Sequence, residues 1–272
     1  MQGILTNLVG QIVAATANDD FRPAWGVVWV PFGPMDCMVT QRVQPKQSNH
    51  MNQPQYIFEA SSKPSLPWHE VPLILATDES VKGYGCLVDD AEGFEIEITR
   101  WPQQGWRTID EGTGDEGGYV EGTFKCDWRG DVLYGENEAV SGHYVLGWSA
   151  DPQQAQTKER TQPRDQVLLW HMNYHPDGGQ LFFPLDNKPF IVPLALPGDN
   201  LHPDKVIAFW CDGQRGLYIH AGIWHEGVFP VHDHQRFLDR QGAVHARVSA
   251  DLGKEFGVYL SCPLSEDKIK RL

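Results

Sequence analysis

Two short segments hold the residue types that move protons or bind metal ions. One is His171-Met172-Asn173-Tyr174-His175, which runs through Pro176-Asp177-Gly178-Gly179 to Gln180; the other is His220-Ala221-Gly222-Ile223-Trp224-His225-Glu226. Imidazole changes protonation near neutral pH and is also a common ligand of divalent ions, so repeated histidines beside an amide fit either role. On an extended segment side chains alternate, which puts His171, Asn173 and His175 on one face and Met172 and Tyr174 on the other. Gln180 follows a Pro-Asp-Gly-Gly turn and heads the apolar run Leu181-Phe182-Phe183-Pro184-Leu185. A second turn at Asp186-Asn187-Lys188-Pro189 leads into Phe190-Ile191-Val192-Pro193-Leu194. The pattern predicts a β-meander with polar groups on one face.

The spacing resembles the two motifs of the cupins. Asn173, His175 and Gln180 stand where those proteins carry His, His and Glu, with Asn187 at the following turn. His220, Gly222 and His225 match the second motif, His220 taking the place of a proline. A closer resemblance is to the ureidoglycolate lyase family, whose members cleave ureidoglycolate to glyoxylate and urea. The family's His-Pro run, ending in glutamine, two aromatics and proline, is largely reproduced by His175-Pro176-Asp177-Gly178-Gly179-Gln180-Leu181-Phe182-Phe183-Pro184. Its second signature is matched by Asp212-Gly213-Gln214-Arg215-Gly216 and by His220 through Trp224-His225, with Glu226 where the family has a last histidine. The resemblance is strongest from His171 to Pro230.

What the resemblance implies is an all-β, cupin-type antiparallel β-barrel, the double-stranded β-helix, and a carbon–nitrogen lyase of purine and allantoin degradation. In such a site His225 and His220 would be base and acid. His175, Gln180 and His225 would hold a divalent ion (Zn, Ni, Mn or Fe) or clamp a carboxylate, with no organic cofactor. His171, Asn173, Arg215, Trp224 and Glu226 would bind the substrate. Two imidazoles and a neutral amide fall short of the usual donor set for a divalent ion, so either the ion is weakly held or His171, His220 or Glu226 completes the set. The same scaffold also suits a metal-dependent cupin dioxygenase or a cupin that binds without turnover.

The elements around these segments extend well beyond the short family members. Residues 1–70 read as an N-terminal extension packed on the barrel, with strands at 26–31 and 38–43 and a polar arm over 44–67 that suits a homodimer contact. Residues 71–272 form the cupin-like domain, with residues 93–131 as an insertion. Within the insertion, Phe94 to Trp101 alternates apolar and charged and predicts a half-exposed strand. The Gly- and acid-rich stretch 111–118 reads as a solvated hairpin tip or a lid. Helices are expected only as single turns at 77–82 and 265–272.

At 272 residues, 41% hydrophobic, the chain has ample core material, and 27 Gly with 19 Pro fit a fold of many turns. A net charge of −14 excludes a nucleic-acid surface, which needs clustered cations. No apolar run reaches membrane-spanning length. The start lacks the basic region of a signal peptide, and five scattered cysteines predict reduced thiols and a cytoplasmic protein; the partner that the resemblance implies is a small carboxylate substrate. His50, His69, His202 and His245 read as structural, and His232-Asp233-His234, with Gln235, Arg236 and Asp239 nearby, as a surface loop.

Overall fold

The computed structural model describes residues 63–100, 102–114 and 117–270. The strands expected at 26–31 and 38–43, and the arm up to residue 62, lie outside these residues. Short apolar runs broken by Gly, Pro and Asp turns leave room for strands and almost none for helices. The first strands are β1 (Trp68–Glu70), β2 (Leu73–Leu75), β3 (Gly85–Val88), β4 (Tyr119–Arg129), β5 (Val132–Asn137) and β6 (Gly142–Trp148). They are followed by β7 (Gln166–Leu169), β8 (His171–Tyr174), β9 (Gln180–Pro184), β10 (Phe190–Ala195), β11 (Ile207–Cys211) and β12 (Gly216–Ile219). The last are β13 (Trp224–His225), β14 (Phe229–Pro230), β15 (His234–Gly242), β16 (Val248–Asp251), β17 (Tyr259–Pro263) and β18 (Ile269–Lys270). One short helix, α1 (Leu252–Phe256), is capped by the Asp251 side chain and closed by Gly257 in the left-handed region.

The strands form two sheets. The larger runs β1-β17-β7-β6-β5-β4-β15-β9-β12-β3, and the smaller β16-β8-β13-β10-β11-β2-β18, with β14 also on β10. Pairing is antiparallel except where β1 meets β17 and where β2 meets β11 and β18. The fold is all-β, as expected, but neither sheet closes into a barrel: each keeps two free ends in its ladder.

One hydrophobic core takes side chains from both sheets, and the edge-to-face contact of Phe190 on β10 with Phe237 on β15, 5.0 Å between centroids, joins them directly. The inward faces are graded. On β15 the inward residues run from Phe237 through Asp239 to Gln241, and on β9 from Phe182 back to Gln180. In the smaller sheet the inward stripe of Phe190, Val192 and Leu194 meets His225, which lies opposite Leu194, and then Asn173, opposite His225. Each sheet is therefore apolar over one stretch and polar over the next, and the polar stretches meet.

Several expectations are corrected by the pairing. The predicted meander has its three strands, but β8 and β10 lie in the smaller sheet and β9 in the larger, so the two turns carry the chain between sheets. Apolar residues on both faces of these strands are buried, so each gains more between layers than beside its neighbour in sequence. Phe94 to Arg100 keeps its alternating exposure but has only one bridge, Ile98 to Gly178. The second half of the expected insertion is β4, a central strand paired with β5 and β15, leaving 93–118 as the segment outside the sheets. The 70/71 boundary falls between two laddered strands, β1 and β2. The single turns expected at 77–82 and 265–272 are present: Val81 N donates to Thr77 O and Ser80 N to the capping Thr77 Oγ1, and Glu266–Lys268 is a 3-10 turn.

Phe237 carries the contact between sheets, so Phe237→Ala should cost about 3–5 kcal/mol of unfolding free energy. Leu238→Ala, one residue along on the outer face, should cost less than half of that. Urea midpoints of the two variants provide the check, and equal losses would count against a core shared between the sheets.

Candidate active site

The smaller sheet supplies the imidazoles. His225 on β13 is 3% exposed and His175, just past β8, 8%, with ring centroids 5.2 Å apart. His175 Nδ1 lies 3.0 Å from Ala246 O and His225 Nδ1 2.8 Å from Ile223 O. A carbonyl at Nδ1 assigns the proton of each neutral ring to that nitrogen and leaves Nε2 as the basic site. Burial, with His245 and His225 as like neighbours, drives the His175 ring well below its usual range; burial also lowers His225. Asn173 Nδ2 donates to His225 O at 3.3 Å and so ties β8 to β13 beside the ring.

The larger sheet supplies an amide held by a buried carboxylate. Gln180 Oε1 sits 3.2 Å from His225 Nε2, while Gln180 Nε2 donates to Asp239 Oδ1 at 2.7 Å. Asp239 is 0% exposed, and its other oxygen accepts from Asn137 Nδ2 at 2.7 Å and Gln241 Nε2 at 2.8 Å. Burial raises this carboxyl to about 6 against the pull of the three amides. Gly122 faces Asp239 across the β4–β15 ladder, and Asn137 reaches the carboxylate from the next strand, β5. A Cβ at Gly122 would lie 2.5 Å from the backbone nitrogen of Ala139, so the close approach of the 138–139 turn requires glycine there.

At the edge of the cluster Glu226 Oε2 is 2.6 Å from His171 Nδ1. Burial pushes the Glu226 carboxyl up, but the His171 ring, the Gly227 backbone N–H and His225 outweigh it and bring it below the usual carboxylate range. Tyr144 on β6 completes the inward surface, its hydroxyl pushed up to about 12 by burial. His245, expected to be merely structural, is buried against His175 with ring centroids 4.2 Å apart; burial and His225 lower it to about 3.

Other expected site residues lie elsewhere. His220 is exposed at the end of β12 with its ring against Tyr218, outside the His175–His225 contact. Arg215 is a half-buried arginine that donates to Asp78 at 3.0 Å and lies 3.8 Å from Asp89. Trp224 alternates away from His225, packs edge-to-face on Tyr174 and donates to Gly198 O. A surface cleft of about 420 Å³ beside Trp224, lined by Trp106, Arg107 and Asp199, is likewise separate from the imidazoles. The Arg107 guanidinium pairs with Glu255, while the Asp199 carboxylate accepts from the Arg107 backbone N–H and the Tyr174 hydroxyl. His202 caps the 3-10 turn Pro203–Lys205, consistent with a structural role.

Asp239, Asn137, Gln241 and Tyr144 line the cluster and were passed over by sequence reasoning. The period-two run Phe237-Leu238-Asp239-Arg240-Gln241 was the available signal, and assignment of Asp239 to a surface loop hid it; the stretch is strand β15.

The expected divalent-ion site is not assembled. Among the described residues no three of His, Cys, Asp and Glu are grouped to hold an ion. His175, His225 and Gln180 give two imidazoles and a neutral amide, while the nearby carboxylates are engaged, Glu226 by His171 and Asp239 by its amides. That donor set does not fit a tightly held ion.

The sequence profile of the ureidoglycolate lyase family matches residues 143–252. The ureidoglycolate lyase of Azotobacter vinelandii is 41% identical over 71 residues, 25% of this chain and 43% of that protein. That of Stutzerimonas stutzeri is 41% identical over 79 residues, 28% of this chain and 46% of that protein. The Pseudomonas fluorescens protein of the same name is 30% identical over 131 residues, 42% of this chain and 77% of its own length. The chain thus spans less than half the length of the first two relatives. The matched region contains His171, His175, Gln180, His225, Asp239 and Arg247.

Asp239 makes the site's stability depend on pH. Its folded value of about 6 lies above the ordinary 3.8, so the folded chain holds this proton more tightly than the unfolded one. The contribution is complete below the ordinary value and is lost as pH rises through about 6, on the order of 3 kcal/mol in all. The unfolding free energy of wild type minus that of Asp239→Asn should therefore fall by on the order of 3 kcal/mol between about pH 4 and about pH 7. Denaturant titrations at the two pH values test this, and a flat difference would contradict a raised carboxyl.

Proposed function

The chain belongs to the ureidoglycolate lyase family, and from that premise we propose that it is a carbon–nitrogen lyase, cleaving a ureidoglycolate-like carboxylate to an aldehyde acid and urea. The observation that carries this reading is the setting of His225. Burial keeps the ring neutral, yet both its nitrogens face fixed acceptors, Ile223 O and Gln180 Oε1. The neutral ring can donate to only one of them, whereas the imidazolium donates to both. A ring so placed is a resting base whose protonated form is stabilised in advance.

In this reading His225 Nε2 takes the proton of the substrate hydroxyl. The O–H electrons become the second bond of the aldehyde carbonyl, the C–N bond breaks, and the departing ureido nitrogen takes up a proton. In this reading His171, held by the Glu226 carboxylate at 2.6 Å, supplies that proton. This role passes from the exposed His220 to His171, which shares the face of Asn173 and His175. No electrons are gained or lost overall, so neither dioxygen nor another oxidant is consumed. Cys86, Cys126, Cys211 and Cys262 are unpaired, which accords with a cytoplasmic enzyme, and a homodimer completes the proposal.

Purified protein mixed with ureidoglycolate under argon should release urea and glyoxylate. His225→Ala should lower turnover by about 100-fold or more, while its thermal midpoint stays within a few degrees of wild type. His202→Ala and His220→Ala should retain most activity. Equal turnover in His225→Ala and His202→Ala, or strict dependence on dioxygen, would overturn the proposal.

A further inference from the structure

Residues of the stretches 93–100 and 102–114 are tied to the backbone beside the imidazole cluster. Thr99 N donates to Asp177 O and Gly179 N to Glu97 O, on the turn that follows His175. Farther on, Asp110 N donates to Arg247 O at 2.7 Å, and Arg247 N to Thr113 Oγ1 at 3.0 Å. The β8–β16 register pairs Val248 with Tyr174 and Ser249 with Asn173, and Asn173 in turn pairs with His225. Strand alternation then puts Ser249 and Arg247 on the face that carries Asn173, His175 and His225.

Asp110 and Arg247 are locked together there. Asp110 Oδ2 accepts from Arg247 Nε at 2.7 Å and from Ser249 Oγ at 2.6 Å. Asp110 Oδ1 takes no hydrogen bond among the described residues, and neither Nη group of Arg247 gives one. The Arg247 side chain is 36% exposed and that of Asp110 27%, while His175 and His225 beneath are nearly closed to solvent. A held guanidinium with two free N–H₂ groups thus stands beside a free carboxylate oxygen at the rim of the site. Arg215, the arginine first expected to meet a substrate carboxylate, has its charge engaged by Asp78 and Asp89.

We propose that Arg247 and Asp110 form the substrate-recognition pair of this site, Arg247 clamping a carboxylate and Asp110 selecting a neighbouring N–H group. The proposal rests on the lyase reading above and adds to it the residues that choose the substrate. A guanidinium fork suits a carboxylate, and a carboxylate oxygen suits a ureido or amide N–H. A substrate with both groups on one carbon answers both. An acid without the N–H brings its negative charge beside Asp110 without compensation, so the segment 93–118 also rejects plain carboxylates.

The test uses two unreactive probes of the same shape, hydantoate, which has a carboxylate and ureido N–H groups, and levulinate, in which carbon replaces the nitrogens. By calorimetric titration wild type should prefer hydantoate by about tenfold or more. Asp110→Asn should reduce that preference to about threefold or less, and Arg247→Met should weaken both probes by about tenfold. Ser249→Ala, which loosens Asp110 without removing it, should give an intermediate preference and decides the matter if Asp110→Asn does not fold. An undiminished preference in Asp110→Asn or Ser249→Ala, or wild-type affinity in Arg247→Met, overturns the proposal. Turnover of ureidoglycolate by wild type separates the two readings. Active enzyme with indifferent variants sinks the recognition pair alone; a preference lost with Asp110 in a protein that releases no urea sinks the lyase alone. A wild type that neither releases urea nor distinguishes the probes sinks both.

Discussion

A carboxylate buried without a cation is the constraint around which this site is built. Asp239 is closed to solvent and met by three side-chain amides, from Asn137, Gln180 and Gln241. Each amide has one donor end and one acceptor end, so binding the carboxylate fixes which end points away. For Gln180 that end is the oxygen, and it faces His225. The arrangement needs β5, β9 and β15 in their observed places and a glycine at 122. Loss of the carboxylate would leave Gln180 free to turn and His225 without its second acceptor.

The two sheets divide the work. The smaller contributes imidazoles whose Nδ1 atoms are anchored by backbone carbonyls; the larger contributes the polar groups that determine what those rings encounter. Both are apolar elsewhere along the same strands, so the site is a continuation of the core. Burial that would be costly for charged groups keeps His175 and His225 neutral. Arg247 and Asp110 sit nearer the rim and meet as opposite charges, and the Glu226 carboxylate meets the His171 ring.

Glu226 shows how one substitution is absorbed. It stands where the family signature ends in histidine, and a bare carboxylate near an anionic substrate would repel it. Here it is turned onto the His171 ring at 2.6 Å. The same pairing explains why the described residues group no ion site, since Glu226 and Asp239 beside the imidazoles already have partners.

The sequence by itself determined the strands and their faces. The period-two pattern of His171-Met172-Asn173-Tyr174-His175 placed the polar residues together, and the turns at 176–179 and 186–189 bounded β9 and β10 correctly. His175, Gln180 and His225 were legible as a group, and they do converge. Alternation and turn chemistry are local, so each is written within a few residues. Strand partners are not local. That β8, β9 and β10 do not pair with one another, that Asp239 lies behind Gln180, that Asp110 meets Arg247, and that His220 and Arg215 lie apart from the cluster were decided by which faces could be buried together. Such pairings join residues 59 and 137 positions apart, and nothing in either segment alone specifies the other.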